Sequence, residues 1–294
     1  MNPHPCISVF IRGFASCLFV LSVLFPNSSF ADDTNALIES TAPILDTNIT
    51  WHVQLFGYAA NFEWEEHFAG TKVVDESGPF FGIGLAFDDQ LASHLLLLGR
   101  GDFFIGQVNY DGGLQNEQGD IIPYASDSSY GGFHAQMALG VPFAFRHTSP
   151  RILPFAGFAG GSWLRSLDTK LSDSDLGTHG YEESWSFLAT ALGLALDIPI
   201  TPTHHLFAAG QVNFPIWNKI RADLSNVGGP DESIVRPKRE TGFEAEGGFA
   251  SAHISFSVFF LAQDFGESDV NDDGFFQPDS SARMLGARLA YTFE

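Results

Sequence analysis

Residues 285–293 read Leu-Gly-Ala-Arg-Leu-Ala-Tyr-Thr-Phe. Leu285, Ala287, Leu289, Tyr291 and Phe293 alternate with Gly286, Arg288, Ala290 and Thr292. Successive side chains of a β-strand point to opposite faces, so this period of two predicts a strand with one large apolar face and one small or polar face. The pattern recurs upstream. Phe133, Ala135, Met137, Leu139, Val141 and Phe143 alternate with His134, Gln136, Ala138, Gly140, Pro142 and Ala144. Leu206, Ala208, Val212, Phe214 and Ile216 share a face, with Gln211 and Asn213 on the other. Phe243, Ala245 and Phe249 flank Glu244 and Glu246, and Ile254, Phe256, Val258 and Phe260 flank Ser255 and Ser257.

Two architectures fit such strands. A soluble sandwich buries the apolar face, whereas a membrane barrel turns it to lipid. Loop lengths choose between them. Strands are predicted at 50–66, 80–89, 94–110, 128–146, 152–167, 182–199, 205–219, 238–249, 252–264 and 282–294. Their connections alternate between long (67–79, 111–127, 168–181, 220–237, 265–281) and short (90–93, 147–151, 200–204, 250–251). Short turns on one side and long loops on the other mark an outer-membrane barrel. The predicted fold is therefore an all-β, closed, antiparallel up-and-down transmembrane barrel of ten strands, with eight as the alternative count. Closure leaves no unpaired edge in lipid. Trp51, Trp64, Trp163, Trp185, Trp217 and Tyr291 fall at strand ends, where they would form interfacial girdles. Glycines such as Gly82, Gly84, Gly99, Gly101, Gly157, Gly160 and Gly161 suggest bulges or bends.

The first residues read as a secretory signal. Arg12 precedes an apolar run, 14–25, that Pro26 and Asn27 break, and Ser29-Phe30-Ala31 offers a cleavage site. That run is shorter than the roughly 20 residues of a membrane helix. Residues 1–31 are thus assigned to a signal peptide, 32–49 to a periplasmic lead-in and 50–294 to the barrel. Both cysteines, Cys6 and Cys17, fall in the signal, so the mature part has no disulfide. Asp and Glu number 35 against 14 Lys and Arg, a sign opposite to that needed for nucleic acid. With 30 phenylalanines and 45% hydrophobic residues, the chain has too much apolar surface for a disordered acidic polymer.

Taken together, the mature chain resembles small bacterial outer-membrane β-barrel proteins. Ala287–Phe293 looks like the terminal signal that such proteins present to the barrel-assembly machinery, although Glu294 follows the final aromatic. The strand count is similar to that of the omptins, the outer-membrane proteases. That family needs an Asp–Asp pair and an Asp–His pair at the outer rim. Here Asp88-Asp89 falls at a predicted short turn, and Asp272-Asp273 lies in a long loop with no Asp–His pair facing it.

Three sets of residues could carry chemistry. Asp269, Asn271 and Asp273, followed by Gly274, match the first half of a calcium loop, with Asp279 as a substitute for the missing terminal Glu. They predict at most weak Ca²⁺ binding; the other reading is an acidic, solvated turn. Arg236, Lys238 and Arg239 cluster in an acidic chain and could meet lipopolysaccharide phosphates or an acidic partner; the other reading is ordinary rim charges. His134, Gln136, Glu244, Glu246 and Arg288 face the predicted lumen, where Arg288 can pair with either glutamate. His253 and Ser255 are predicted at the opposite end from His134, so no catalytic triad is assigned. Gly228-Gly229-Pro230 is a turn without the following helix that a phosphate loop needs. The reading is a non-enzymatic protein of the bacterial outer membrane, surrounded by lipid and lipopolysaccharide, whose long outer loops contact the surroundings or a surface partner. A narrow solute channel and a loop-borne surface enzyme are the alternatives.

Overall fold

The computed structural model describes residues 52–92, 94–115, 121–144, 150–168, 180–225 and 229–293. The signal and lead-in segments, Trp51, Gly228 and Glu294 lie outside them. Ten strands form the barrel: β1 (His52–Phe68), β2 (Thr71–Ala92), β3 (Leu95–Gln115), β4 (Ile121–Gly140), β5 (Arg151–Leu167), β6 (Glu182–Thr201), β7 (His204–Asp223), β8 (Gly242–Ser251), β9 (Ile254–Gly266) and β10 (Asp279–Phe293). Each pairs antiparallel with the next, and β10 returns to β1 from Val53↔Phe293 to His67↔Asp279. The ladder therefore closes on itself. Short pieces complete the wall: Phe143–Ala144 pairs with β5, Ser233–Val235 with the top of β7, and Lys238–Arg239 with the top of β9.

The outward phase follows the alternation. Leu285, Leu289, Tyr291 and Phe293 on β10 are exposed, as are Ile254, Phe256 and Val258 on β9 and Phe81, Ile83 and Leu85 on β2. A side chain that is apolar and exposed all the way round a closed sheet needs lipid rather than water.

Three expectations are corrected. First, the long connection expected at 67–79 is a tight hairpin. Ala69 and Gly70 both have positive φ, 49° and 78°, and β2 begins at Thr71. Two left-handed residues match the right-handed twist of the flanking strands. The loop expected at 111–127 is likewise mostly strand, since β3 runs to Gln115 and β4 starts at Ile121. A barrel strand crosses a bilayer in about 9–11 residues, whereas β2 has 22. The hairpins therefore stand well clear of the membrane.

Second, Trp64, Trp163 and Trp185 are not girdle residues. They point inward and pack together, Trp163 on Trp185 at 5.5 Å with a 7° interplanar angle and Trp64 edge-on to Trp185 at 4.9 Å. Only Trp217 and Tyr291 of the described set are exposed outside.

Third, the glycines do not mark bulges. Register shifts occur at Glu66/His67, Gln90/Ala92, Leu188/Ala189 and Pro199/Thr201 instead. Several inward glycines make room for rings. A Cβ on Gly82 would stand 2.2 Å from the Tyr58 ring, one on Gly106 would stand 2.1 Å from Phe80, and one on Gly286 would stand 2.6 Å from Phe259. The interior face is consequently aromatic as well as small and polar.

Candidate functional site

The interior has two layers, and strand order along β1 separates them. Tyr58 belongs to the lower layer, toward the short turns, and Glu66 to the upper, toward the long connections. Inward positions recur every second residue, so each layer collects one residue from nearly every strand.

The upper layer centres on Arg165 of β5. Its guanidinium reaches Glu76 (2.6 Å), Glu183 (2.9 Å) and Glu66 (3.3 Å), and all four side chains are buried. Further donors reach the same carboxylates: Trp64 Nε1 donates to Glu66 and Trp185 Nε1 to Glu183, each at 2.9 Å, while Ser128 and Tyr130 hydroxyls donate to Glu76. Around this set pack Phe62, Phe80, Val108, Tyr110, Ile220 and Phe265. Charges in such surroundings need every partner they have. Together these side chains form a packed, buried cluster inside the barrel.

A partly open cavity of about 260 Å³ lies in the lower layer and reaches up to Phe62, Phe80 and Phe265. His134, Gln136, Glu244, Glu246 and Arg288 all line it. One wall carries a relay in which Gln136 donates to Gln211 (2.7 Å), Gln211 to Asn213 (3.1 Å) and Asn213 to Glu244 (2.9 Å). Two residues along β8 from Glu244, Glu246 accepts from Arg288 at 2.5 Å, and Arg288 lies between the Phe56 and Phe259 rings, 4.8 and 4.9 Å from their centroids. Ser257 also donates to Glu246, at 2.5 Å.

Sequence reasoning missed much of both layers. Arg100 and Asp102 belong to the cavity, and Tyr58 donates to Asp102 at 2.9 Å. Their strand alternated poorly and carried glycines that read as bends. Arg165, Glu66, Glu76 and Glu183 were also missed. The available signal was the i, i+2 spacing of Trp64 with Glu66 and of Glu183 with Trp185, which puts an indole and a carboxylate on one face.

The 269–279 segment is ordered by its own side chains. Asn271 Oδ1 accepts from the amides of Asp273 (3.0 Å) and Phe275 (2.9 Å), and its Nδ2 donates to Ser233 Oγ at 2.7 Å. Asp279 Oδ1 accepts from the Glu267 amide at 2.5 Å, and Asp273 Oδ2 from Ser233 at 3.2 Å. Asp269 is exposed. Among the described residues, no group of three or more His, Cys, Asp or Glu side chains is arranged to hold a metal.

Arg236, Lys238 and Arg239 are exposed, and Arg239 donates to the Ile216 carbonyl at 3.0 Å. Exposed Ile216 and Trp217 lie at the same level of β7, with Lys219 and Arg221 just above.

No protein-family model and no curated protein matches the chain in sequence. Among solved structures it is similar to the outer membrane protease OmpT from Escherichia coli, at 12% identity and a TM-score of 0.57, with 87% of this chain and 99% of that one covered. It is also similar to the translocator domain of the autotransporter NalP from Neisseria meningitidis, at 11% identity and a TM-score of 0.46, over 85% of this chain and 91% of that one. A third similarity is to the outer membrane protein OprG from Pseudomonas aeruginosa, at 12% identity and a TM-score of 0.37, over 83% of this chain and 96% of that one. With its closed ladder and exposed apolar belt, the chain has the fold of the bacterial outer-membrane β-barrels. Fold alone transfers no activity. The Asp–His contacts among the described residues, His52–Asp88, His205–Asp197 and His134–Asp102, lie at the short-turn end or inside the cavity rather than at the outer rim.

Proposed function

We propose that this protein works in the outer membrane through its outer surface, not as a pore and not as an enzyme. The observation that carries the reading is the packed upper layer. Arg165, its three carboxylates, Trp64 and Trp185 do not line the cavity and pack on the side of it toward the long connections. What remains available outside is the wall of the tall hairpins and the connections above them.

Arg236, Lys238 and Arg239 are the basic exception in a chain of net charge −21. They stand beside exposed Ile216 and Trp217, a combination suited to the boundary between acyl chains and headgroups. The proposed partner is the phosphate of lipopolysaccharide, bound by charge-assisted hydrogen bonds. Arg236→Gln, Lys238→Gln and Arg239→Gln combined should reduce capture of phosphorylated lipid A, while capture of dephosphorylated lipid A, weak in the parent, should not change. Equal capture of both lipid A forms by the parent would remove the phosphate contact from the proposal.

The polar lower layer favours a second reading, a narrow channel for small solutes, because open lumens are lined in this way. That reading requires the upper layer to open.

A further inference from the structure

The lower cavity has hydrogen-bonding capacity left over, and among its partly exposed cationic and imidazole side chains that capacity lies on Arg100 and His134. Each of its carboxylates already accepts a hydrogen bond: Asp102 from Tyr58, Glu244 from Asn213 and Glu246 from Arg288 and Ser257. Arg100 makes none. Its Nε is 3.8 Å from Asp102 and its Nη1 3.9 Å from Glu246, close enough for charge attraction but too far for hydrogen bonds. Yet its side chain keeps 24% exposure in the cavity wall. His134 is in the same position, with Nδ1 3.7 Å from Asp102 and its ring stacked on Phe187. Two donor-bearing side chains thus face the cavity without an acceptor. Along the same and nearby strands the lining is aromatic, with Phe62, Phe80, Phe104 and Trp163.

From this we infer that the cavity is a binding site for a small, largely aromatic molecule carrying an uncharged acceptor oxygen, such as a ketone or ester carbonyl, held by Arg100 and His134. Pockets of this type are mostly apolar with a few placed polar groups. A carboxylate suits the site less well. Asp102, Glu244 and Glu246 already outnumber Arg100 and Arg288 there, so another negative charge would lack a counter-charge. A hydrocarbon would leave both donors unanswered.

The test uses the full mature barrel in lipid nanodiscs, with empty discs as the partition control. Three probes of similar shape are titrated: 2-acetonaphthone, 2-isopropenylnaphthalene and 2-naphthoate. Energy transfer from tryptophan reports binding, since Trp163 lines the cavity. The ketone should bind at least tenfold more tightly than the hydrocarbon and more tightly than the naphthoate. Arg100→Met should bring the ketone down to the hydrocarbon's affinity, and His134→Phe should lower it in part. If Arg100→Met does not fold, the comparison of probes on the parent still decides. Equal affinity for ketone and hydrocarbon would overturn the proposal. Tighter binding of the naphthoate would overturn the uncharged head, and a ketone preference that survives both substitutions would overturn the assignment to these residues.

Discussion

Arg165 is the residue on which the upper barrel depends. It is buried against Glu66, Glu76 and Glu183, so its loss leaves three carboxylates in a dry interior without their cation. Removing one partner of a buried ion pair costs about 3–5 kcal/mol. Arg165→Met should lower the urea midpoint of the detergent-solubilised barrel accordingly. Adding Glu76→Gln should recover part of the loss, because the two residues share one network. Asn218 is the opposite case. Its amide nitrogen and oxygen are both buried without a partner. Asn218→Leu removes two unmet groups while keeping the number and branching of the side-chain heavy atoms, so unfolding should show stability unchanged or raised by about 1–3 kcal/mol. Neither residue was legible beforehand. Alternation tells which face a polar side chain takes, but not which other strand it meets. Arg165 lies 89 residues from Glu76 along the chain, and that distance closes only once the barrel does. Glu76 was further hidden because it fell in a stretch read as loop.

At the scale of the strand, alternation was a dependable guide to lipid-facing positions and a poor guide to the interior. Leu289 is 60% exposed on β10, where the period of two put it. Arg at the mid-plane of a barrel wall costs about 2–4 kcal/mol. Leu289→Arg should therefore block assembly or lower its yield in refolding assays, whereas Leu289→Phe should assemble as the parent does. Normal folding of the arginine variant would place β10 in the opposite phase. The interior was misread because an aromatic residue at a strand end fits two environments. Trp185 satisfies its indole N–H on Glu183 and so can be buried, as Trp and Tyr require. Lipid-interface tryptophans look the same in sequence. The glycines were misread for a related reason: their signal is a missing Cβ, and what occupies the space is a ring from the neighbouring strand. Tyr58 over Gly82 is the clearest instance. The segment around Asn271 shows the same ambiguity. Alternating oxygens can ligate a cation or tie down a turn, and here Asn271 Oδ1 accepts two backbone amides.

For the whole molecule, the strand number and the side of the short turns were legible because closure constrains them together. An even count brings both ends of the sheet to one side, and β1 and β10 do start and finish beside the short turns. Height was not legible, since a strand that outruns the membrane loses its apolar face and reads as loop. That extra height holds the Arg165 layer, and the account rests on this layer being closed. Its most direct test is current through the refolded, unmodified barrel in a planar bilayer. A closed layer predicts no steady large conductance at any holding voltage that the bilayer withstands. A stable, ion-selective pore in the parent protein would contradict the closed barrel and put the channel reading in its place.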